Sequence, residues 1–389
     1  MGLSVDNNVH AVKKCPVVVG QELPAVAAPI YAAGGIDTVG TYARDRAVFA
    51  LGGAGAGALL APVVGIRRGR GALLGAAAGT LTAIGIGHRR PGSVLRGVAV
   101  PVPGEVAVET LRVMEFNVHG GMGGPGKFFA TPTTLKHLAD TIQHENPDIV
   151  LLQELDRFAV RSNFTDTLGQ LVKRLRPTGA VMTQAIDKGT GRLEGTGILT
   201  FNGATITDAR GLRIGDALGD DAARRLKATL DAWSGLVTAK LGHQRLPFGG
   251  VIEYQPRVAT DVMVRTAAGN HIRVLSGHFS PPHHGIDEPR RQVDPVVETL
   301  GTWTGPTIFG ADFNVRDGSP EFIKEHEVFG AAGMTEATFG APPNSDRVYV
   351  SEHFSAANPR KLVTPEGAVQ ASDHAPVTVE LTLRLRLSH

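Results

Sequence analysis

From residue 110 onward the chain repeats one pattern, a short apolar run followed by an abrupt polar stop. Runs at 111–116, 149–152, 197–201, 258–265, 272–277, 307–309, 347–350 and 376–385 predict strands. The run at 149–152 is apolar throughout, which predicts burial on both faces. Ala268-Gly269-Asn270 joins two of the runs as a hairpin turn. Between the strands the apolar period lengthens. Thr131-Pro132 opens a helix with a capping residue and a proline in the first turn, Leu135, Leu138 and Ile142 line one face, and Asn146-Pro147 stops it. Helical periods also cover 164–176, 216–240 and 288–301. Strands outnumber helices, and hairpins mix with helical crossovers. Two sheets are needed to bury so many strands, which predicts an α/β protein with a sheet-on-sheet core flanked by helices.

The first hundred residues follow a different pattern. Residues 1–46 have no clear period and read as loosely ordered, with one short strand at 17–19 and no cleavable signal peptide. Residues 47–66 and 71–87 carry no charge, and Arg67, Arg68 and Arg70 lie between them. The two runs predict an N-terminal transmembrane hairpin over 47–90, with Gly53, Gly57, Gly71, Gly75 and Gly79 permitting close approach. A glycine-rich segment outside a membrane shares this composition, and Pro62 interrupts the first run. The basic bend favours a membrane-anchored chain whose long ends, and so its folded domain, are extracytoplasmic. Residues 91–109, punctuated by Pro91, Pro101 and Pro103, read as a linker, and 110–389 as one folded domain.

Composition adds limits. With 389 residues, 42% hydrophobic and 20% charged, most of the chain should fold. The net charge of +2 divides unevenly: residues 1–110 hold 10 Lys/Arg against 6 Asp/Glu (+4), and the remainder 29 against 31 (−2). The folded part is therefore no polycation built to wrap nucleic acid, although a local basic groove stays open. The single cysteine, Cys15, excludes an internal disulfide.

The chemistry gathers where strands end. Thr307-Ile308-Phe309 runs into Gly310-Ala311 and then Asp312 and Asn314, which share a face if the chain stays extended. Gly-Ala-Asp is also common turn chemistry. Yet Asn117, Glu154, His278, Asp346, Asp373 and His374 border other apolar runs in the same way. A carboxylate at a strand tip needs a partner, and Mg²⁺ or Mn²⁺ suits carboxylate and amide oxygens. Zinc is disfavoured by the lack of a His-x-x-x-His or cysteine cluster. Such a set can hydrolyse a phosphoester: Asp312 to orient or deprotonate water, Asn117 and Asn314 to donate hydrogen bonds, His278 and His374 to hold phosphoryl oxygens, Asp346 to orient His374.

Taken in order, the motifs resemble the endonuclease/exonuclease/phosphatase superfamily. They are Met-Glu-Phe-Asn117-Val-His-Gly, Gln153-Glu154 after Ile-Val-Leu-Leu, Gly-Ala-Asp312-Phe-Asn314, and Ser372-Asp373-His374-Ala-Pro. The resemblance covers roughly 110–385. It implies a four-layer α-β-β-α sandwich of two mixed β-sheets and a Mg-dependent phosphoesterase. It further implies that Glu154 is the principal metal ligand with Asn117 and Asp373 nearby. Asp312 resembles the water-activating aspartate, Asn314 its phosphate-side partner, Asp346 the aspartate that orients His374, and His278 the family's second histidine. Arg290 or Arg291 with Gln292 resembles the Arg-x-x-Gln region that follows it, at compressed spacing.

Substrate choice is less legible. The superfamily cleaves nucleic acids, sphingomyelin, inositol phosphates and nucleotide tails, and specificity lies in loops. The candidates here are the glycine-rich loop 120–130 with Lys127-Phe128-Phe129, the insertion 216–250, where Asp216, Asp220, Asp221 and Asp231 offset most of the charge of Arg224, Arg225, Lys227, Lys240 and Arg245, and the segment from His283-His284 to Arg290-Arg291. The expected partner is a phosphodiester in nucleic acid or a phospholipid, with membrane association through 47–87 and no protein partner implied.

Overall fold

The computed structural model describes residues 31–32, 35–36, 39–63, 66–88, 108–125, 127, 129–157, 159, 161–187, 193–215, 223, 256–281, 288–363 and 370–384. Two short strands, β1 (Tyr31–Ala32) and β2 (Gly35–Ile36), precede a pair of helices, α1 (Val39–Leu60) and α2 (Arg68–His88). The expected strand at 17–19, the helix at 216–240, most of 1–46 and nearly all of the 91–109 linker lie outside the described residues.

The helix pair is not the membrane hairpin that the uncharged runs suggest. Among the described residues, no helix is long and apolar enough to cross a membrane. Two physical causes separate the expectation from the structure. Helix α1 starts early, so Arg44, Asp45 and Arg46 lie inside it, and it ends at Leu60. Its uncharged part is then about 14 residues, or roughly 21 Å, against the roughly 30 Å of a hydrocarbon layer. Helix α2 begins on Arg68 and Arg70 and continues as Gly, Ala and Thr with only a few large apolar side chains. Lack of charge is not the same as apolarity. The expectations of a transmembrane hairpin, of membrane association through 47–87 and of a membrane-anchored, extracytoplasmic domain are accordingly withdrawn. The glycines do allow close approach: a Cβ at Gly57 would collide with the Gly71 carbonyl, and one at Gly75 with that of Gly53.

The rest builds two six-stranded sheets. The first contains β3 (Thr110–Asn117), β4 (Ile149–Asp156), β5 (Gly179–Asp187), β6 (Leu193–Thr200), β13 (Phe354–Lys361) and β14 (Val377–Leu383), in the order β13-β14-β3-β4-β6-β5. The second contains β7 (Thr205–Gly215), β8 (Arg257–Arg265), β9 (His271–His278), β10 (Thr307–Asp312), β11 (Met334–Glu336) and β12 (Asp346–Ser351), in the order β11-β12-β10-β9-β8-β7. Each is mixed: β3 runs parallel to β4 and β9 to β10, and their other neighbours are antiparallel.

Strand period decides the layers. Leu111 and Val113 of β3 join Ile149, Leu151, Val274, Ile308, Val348 and Val379 between the sheets. Met114 and Phe116, pointing the other way, pack under α3 (Pro132–Glu145) and α4 (Thr167–Leu175). Phe309, Ala311 and Tyr349 pack under α5 (Glu288–Leu300) and α6 (Pro320–Ala331). The result is an α-β-β-α sandwich, as the motifs imply. Helix α3 forms where expected because Thr131 and Thr134 cap each other reciprocally, Pro132 occupies the first turn, and Asn146 takes the left-handed conformation at the end.

The polar row of the next subsection is a matter of register. The C-terminal ends of β3, β4, β9 and β10 all reach the same edge. The antiparallel strands β12 and β14 start there.

Candidate active site

Asp312 pairs in register with His278 on one side and with Asp346 on the other, so three strands place three polar residues in one row. Asp312 shares its face with Ile308 and so points between the sheets, toward β3 and β4. Across that gap Asn117 Nδ2 donates to Asp312 Oδ2 at 2.9 Å and approaches Glu154 Oε1 at 3.4 Å. The amide orientation is fixed, because Asn117 Oδ1 accepts from the His119 backbone N–H at 3.0 Å. As oriented, Asn117 offers a donor to the two carboxylates. Glu154 is held in a left-handed backbone conformation (φ 51°), unusual for glutamate, at the point where β4 shifts register against β6.

Asn314 locks Asp312 from the other side. Its backbone N–H donates to Oδ1 at 2.9 Å and its Nδ2 lies 3.3 Å from Oδ2, while the same Nδ2 donates to the Phe279 carbonyl at 2.9 Å. His374 closes the group. Its Nδ1 lies 2.9 Å from Asp346 Oδ2, and its Nε2 lies 3.9 Å from Asp312 Oδ2. Ser372 secures the turn, donating from Oγ to the Asn117 carbonyl at 2.7 Å and accepting from the His374 N–H. Asp373 stands at the rim, paired with His119 at 3.3 Å.

Burial sets the charges. Asp346 is pushed up to about 6 by desolvation and then by Asp312. For His374, burial works against protonation, but the hydrogen bond and charge of Asp346 outweigh it and raise the ring to about 10. His278 goes the other way: burial and the Arg257 guanidinium lower it to about 4. It is therefore a neutral imidazole. Arg257 Nη1 lies 2.8 Å from Nδ1 and 3.1 Å from Nε2, so it faces both ring nitrogens, and Nε2 lies 3.6 Å from Asp312 Oδ2.

Two residues that the sequence did not single out, Arg161 and Glu115, belong to this arrangement, beside the expected Gln292. Arg161 reaches three carboxylates, with Nη1 2.9 Å from Glu154, Nη2 2.9 Å from Glu194, and Nε and Nη2 both on Asp156. Glu115, two residues before Asn117, is fully buried, and neither of its carboxylate oxygens has a hydrogen-bond partner among the described residues. Burial, then Asp346 and Asp312, hold it well above the usual carboxylate range. Gln292 is a clamp: its Oε1 accepts from the Ser280 N–H at 2.8 Å and its Nε2 donates to the Gly215 carbonyl at 3.1 Å. Arg291 is exposed.

Ligand atoms of Asp312, Asp346 and His374 lie within 4.8 Å of one another, and Glu154 adds a further carboxylate across Asn117. The carboxylates of this set fit a hard divalent cation, whereas His374, protonated against Asp346, does not act as a ligand in that state. A buried Asp/Asp/His cluster at the edge of two mixed sheets is consistent with the active site of a metal-dependent phosphoesterase. Residues 114–374 match the model of the Endonuclease/Exonuclease/phosphatase family, and the chain belongs to that family. Its fold is similar to that of an endonuclease/exonuclease/phosphatase from Beutenbergia cavernae (15% identity, TM-score 0.52, 71% of this chain and 72% of that one). It is also similar to an endonuclease/exonuclease/phosphatase family protein from Bacteroides thetaiotaomicron (17% identity, TM-score 0.50, 73% and 98%). No curated protein matches the sequence.

Proposed function

We propose that the chain hydrolyses a phosphodiester, in nucleic acid, with Mg²⁺ or Mn²⁺ as the bound cation and residues 110–389 as the catalytic domain. One observation carries the reading: the Asp346–Asp312–His278 row, closed by His374 and joined through Asn117 to Glu154. Glu154 would hold the cation; Asp373 and Asn117 are the candidates to assist, Asn117 only if its Oδ1 turns from the His119 N–H toward Glu154. The cation supplies positive charge to the phosphoryl oxygens and makes a bound water more acidic. The side chains have separate tasks. Asp312, with both oxygens fixed by Asn117 and Asn314, orients the attacking water and takes its proton. His374, held as an imidazolium by Asp346, balances charge growing on the phosphoryl group. Neutral His278, beside Asp312, offers a ring N–H to the same oxygens.

A second reading, a lipid head group or small phosphoester as substrate, has one observation behind it. Phe129 and Phe164 are 55% and 65% exposed, and their loops meet where the Ala130 N–H donates to the Arg161 carbonyl. Two exposed rings beside Arg161, which holds Glu154, make the kind of apolar rim that a lipid substrate would meet. The test is a hydrolysis panel of DNA, RNA, sphingomyelin and phosphoinositides with Mg²⁺ or with chelator, alongside Glu154→Ala and His374→Ala. Expected is metal-dependent cleavage of nucleic acid that both substitutions abolish. Activity unaffected by either substitution would overturn the site; cleavage of lipid alone would select the second reading.

A further inference from the structure

Each member of the polar row is followed by a residue that points away from it, into the helical layer behind the sheet. Phe279 follows His278, Phe313 follows Asp312, and Arg347 follows Asp346. Two of these are phenylalanines stacked at 5.1 Å between ring centroids. The third is an arginine with 2% of its side chain exposed, a costly group to bury unless each donor finds work.

Its donors are all engaged. Nε and Nη2 grip Glu325 of α6 at 3.2, 3.0 and 3.1 Å. Nη1 donates to the Val315 carbonyl at 3.1 Å, to Asp317 Oδ1 at 3.0 Å and to the Asn344 carbonyl at 2.9 Å. The guanidinium also lies over the rings of Phe313 and Phe322, 4.9 Å from each centroid. Val315 and Asp317 belong to the loop that leaves Asp312, and Asn344 to the loop that enters Asp346. One nitrogen therefore ties together the two loops that carry those aspartates. Asn344 extends the tie, since its Nδ2 donates to the Ala375 carbonyl, the residue after His374, at 3.2 Å. The Phe313 N–H adds a backbone bond to the Ser345 carbonyl at 2.9 Å.

We infer that Arg347 is a positioning residue for the reaction: by joining the loops of Asp312 and Asp346 from behind the sheet, and through Asn344 the turn of His374, it sets the spacing of the three side chains. This rests on the functional reading above. Arg347 is buried behind the sheet, on the face opposite the polar row, so its loss should leave substrate binding intact and slow the chemical step. An error of about 1 Å in such a set costs on the order of 100-fold in rate.

Removing Arg347 alone strands a buried carboxylate, so the informative variant is Arg347→Met with Glu325→Gln. It removes both charges and keeps an acceptor for the Tyr349 hydroxyl, which lies 3.0 Å from Glu325. The 389-residue chain carrying both changes is expected to melt near the wild type, to lose about 100-fold in kcat with KM unchanged, and to show faster amide exchange in peptides covering 312–317 and 344–347. Arg347→Lys, which keeps the charge but not the fork, should recover only part of kcat. A folded double variant with wild-type kcat, or a loss that only tracks the unfolded fraction, overturns the assignment. Should the wild type hydrolyse no phosphoester, the function fails, and the exchange experiment still judges the clamp: unchanged protection at 312–317 and 344–347 sinks it.

Discussion

Nδ1 of His374 lies 2.9 Å from Oδ2 of Asp346, and the opposite ring nitrogen lies 3.9 Å from Asp312. One imidazole thus joins the carboxylate that orients it to the carboxylate assigned to water. Burial with Asp312 raises Asp346 to about 6, and Asp346 raises His374 to about 10 against the effect of burial. Between those values the pair is carboxylate and imidazolium. If that state is the active one, kcat should rise through pH 6 as Asp346 loses its proton and fall through pH 10 as His374 loses its own. A rate profile flat across both regions would contradict the assignment.

Asp346→Asn keeps the shape and removes the charge. The ring of His374 should then titrate lower, because its strongest support is gone. Loss of a properly charged partner in the chemical step is expected to lower kcat by about 10²–10⁴-fold. A pH titration of the ring by NMR, beside kinetics, separates this from unfolding: a folded variant whose His374 still titrates near 10 would contradict it.

Glu115 gives a stability prediction with a definite sign. Its folded-state pKa is raised, first by burial and then by Asp346 and Asp312. The folded chain therefore holds this proton more tightly than the unfolded chain, where glutamate titrates near 4.3. Stability should fall as pH rises above that point toward the folded value. Glu115→Gln removes the term, so the variant should melt higher than the wild type at neutral pH, with the difference vanishing near pH 4. Equal melting temperatures at both pH values would show that Glu115 ionises without penalty.

Part of this was legible in the sequence and part was not, for reasons that particular residues show. Asn117, Glu154, His278 and Asp312 end apolar strands, and an abrupt change of polarity at a strand tip survives in a linear reading. Glu115 shares the inward face of Leu111 and Val113, but a lone glutamate in a strand gives no sign of the Asp312 and Asp346 carboxylates that the second sheet brings to it. Arg161 reads as a turn charge, because nothing in the linear order shows that its side chain turns back to Glu154 and Asp156 and across to Glu194, 33 residues away. The strands Gly179–Asp187 and Phe354–Lys361 mix Gly, Ala, Thr, Gln and charged residues and give no clean period. The uncharged runs at 47–66 and 71–87 resemble membrane spans only in lacking charge, because Gly and Ala supply little apolarity.

Gly310 is required by space. A Cβ there would collide with Leu151 Cδ1 and come 3.2 Å from Glu115 Cγ, in the layer between the sheets and directly below Asp312. Gly310→Ala is expected to destabilise by about 1–3 kcal/mol through overpacking. A urea midpoint equal to that of the wild type would show that Leu151 can move aside freely.

Arg161 supplies the sharpest contrast with the rest of the site, since it is a fixed cation shared by Glu154, Asp156 and Glu194, with 15% of its side chain exposed. Arg161→Gln takes away the charge that these three carboxylates share. The loss should be about 3–5 kcal/mol at neutral pH, the scale for breaking a buried ion pair from one side. Because the strain is carboxylate repulsion, the variant's deficit should shrink as pH falls and the acids take up protons. A divalent cation at Glu154 should compensate in the same way, so Mg²⁺ ought to raise the melting temperature of the variant more than that of the wild type. Melting curves with and without Mg²⁺ at two pH values decide the point. Were acid and Mg²⁺ both to leave the deficit unchanged, Arg161 would be holding the loop by packing, and its charge would be incidental to Glu154.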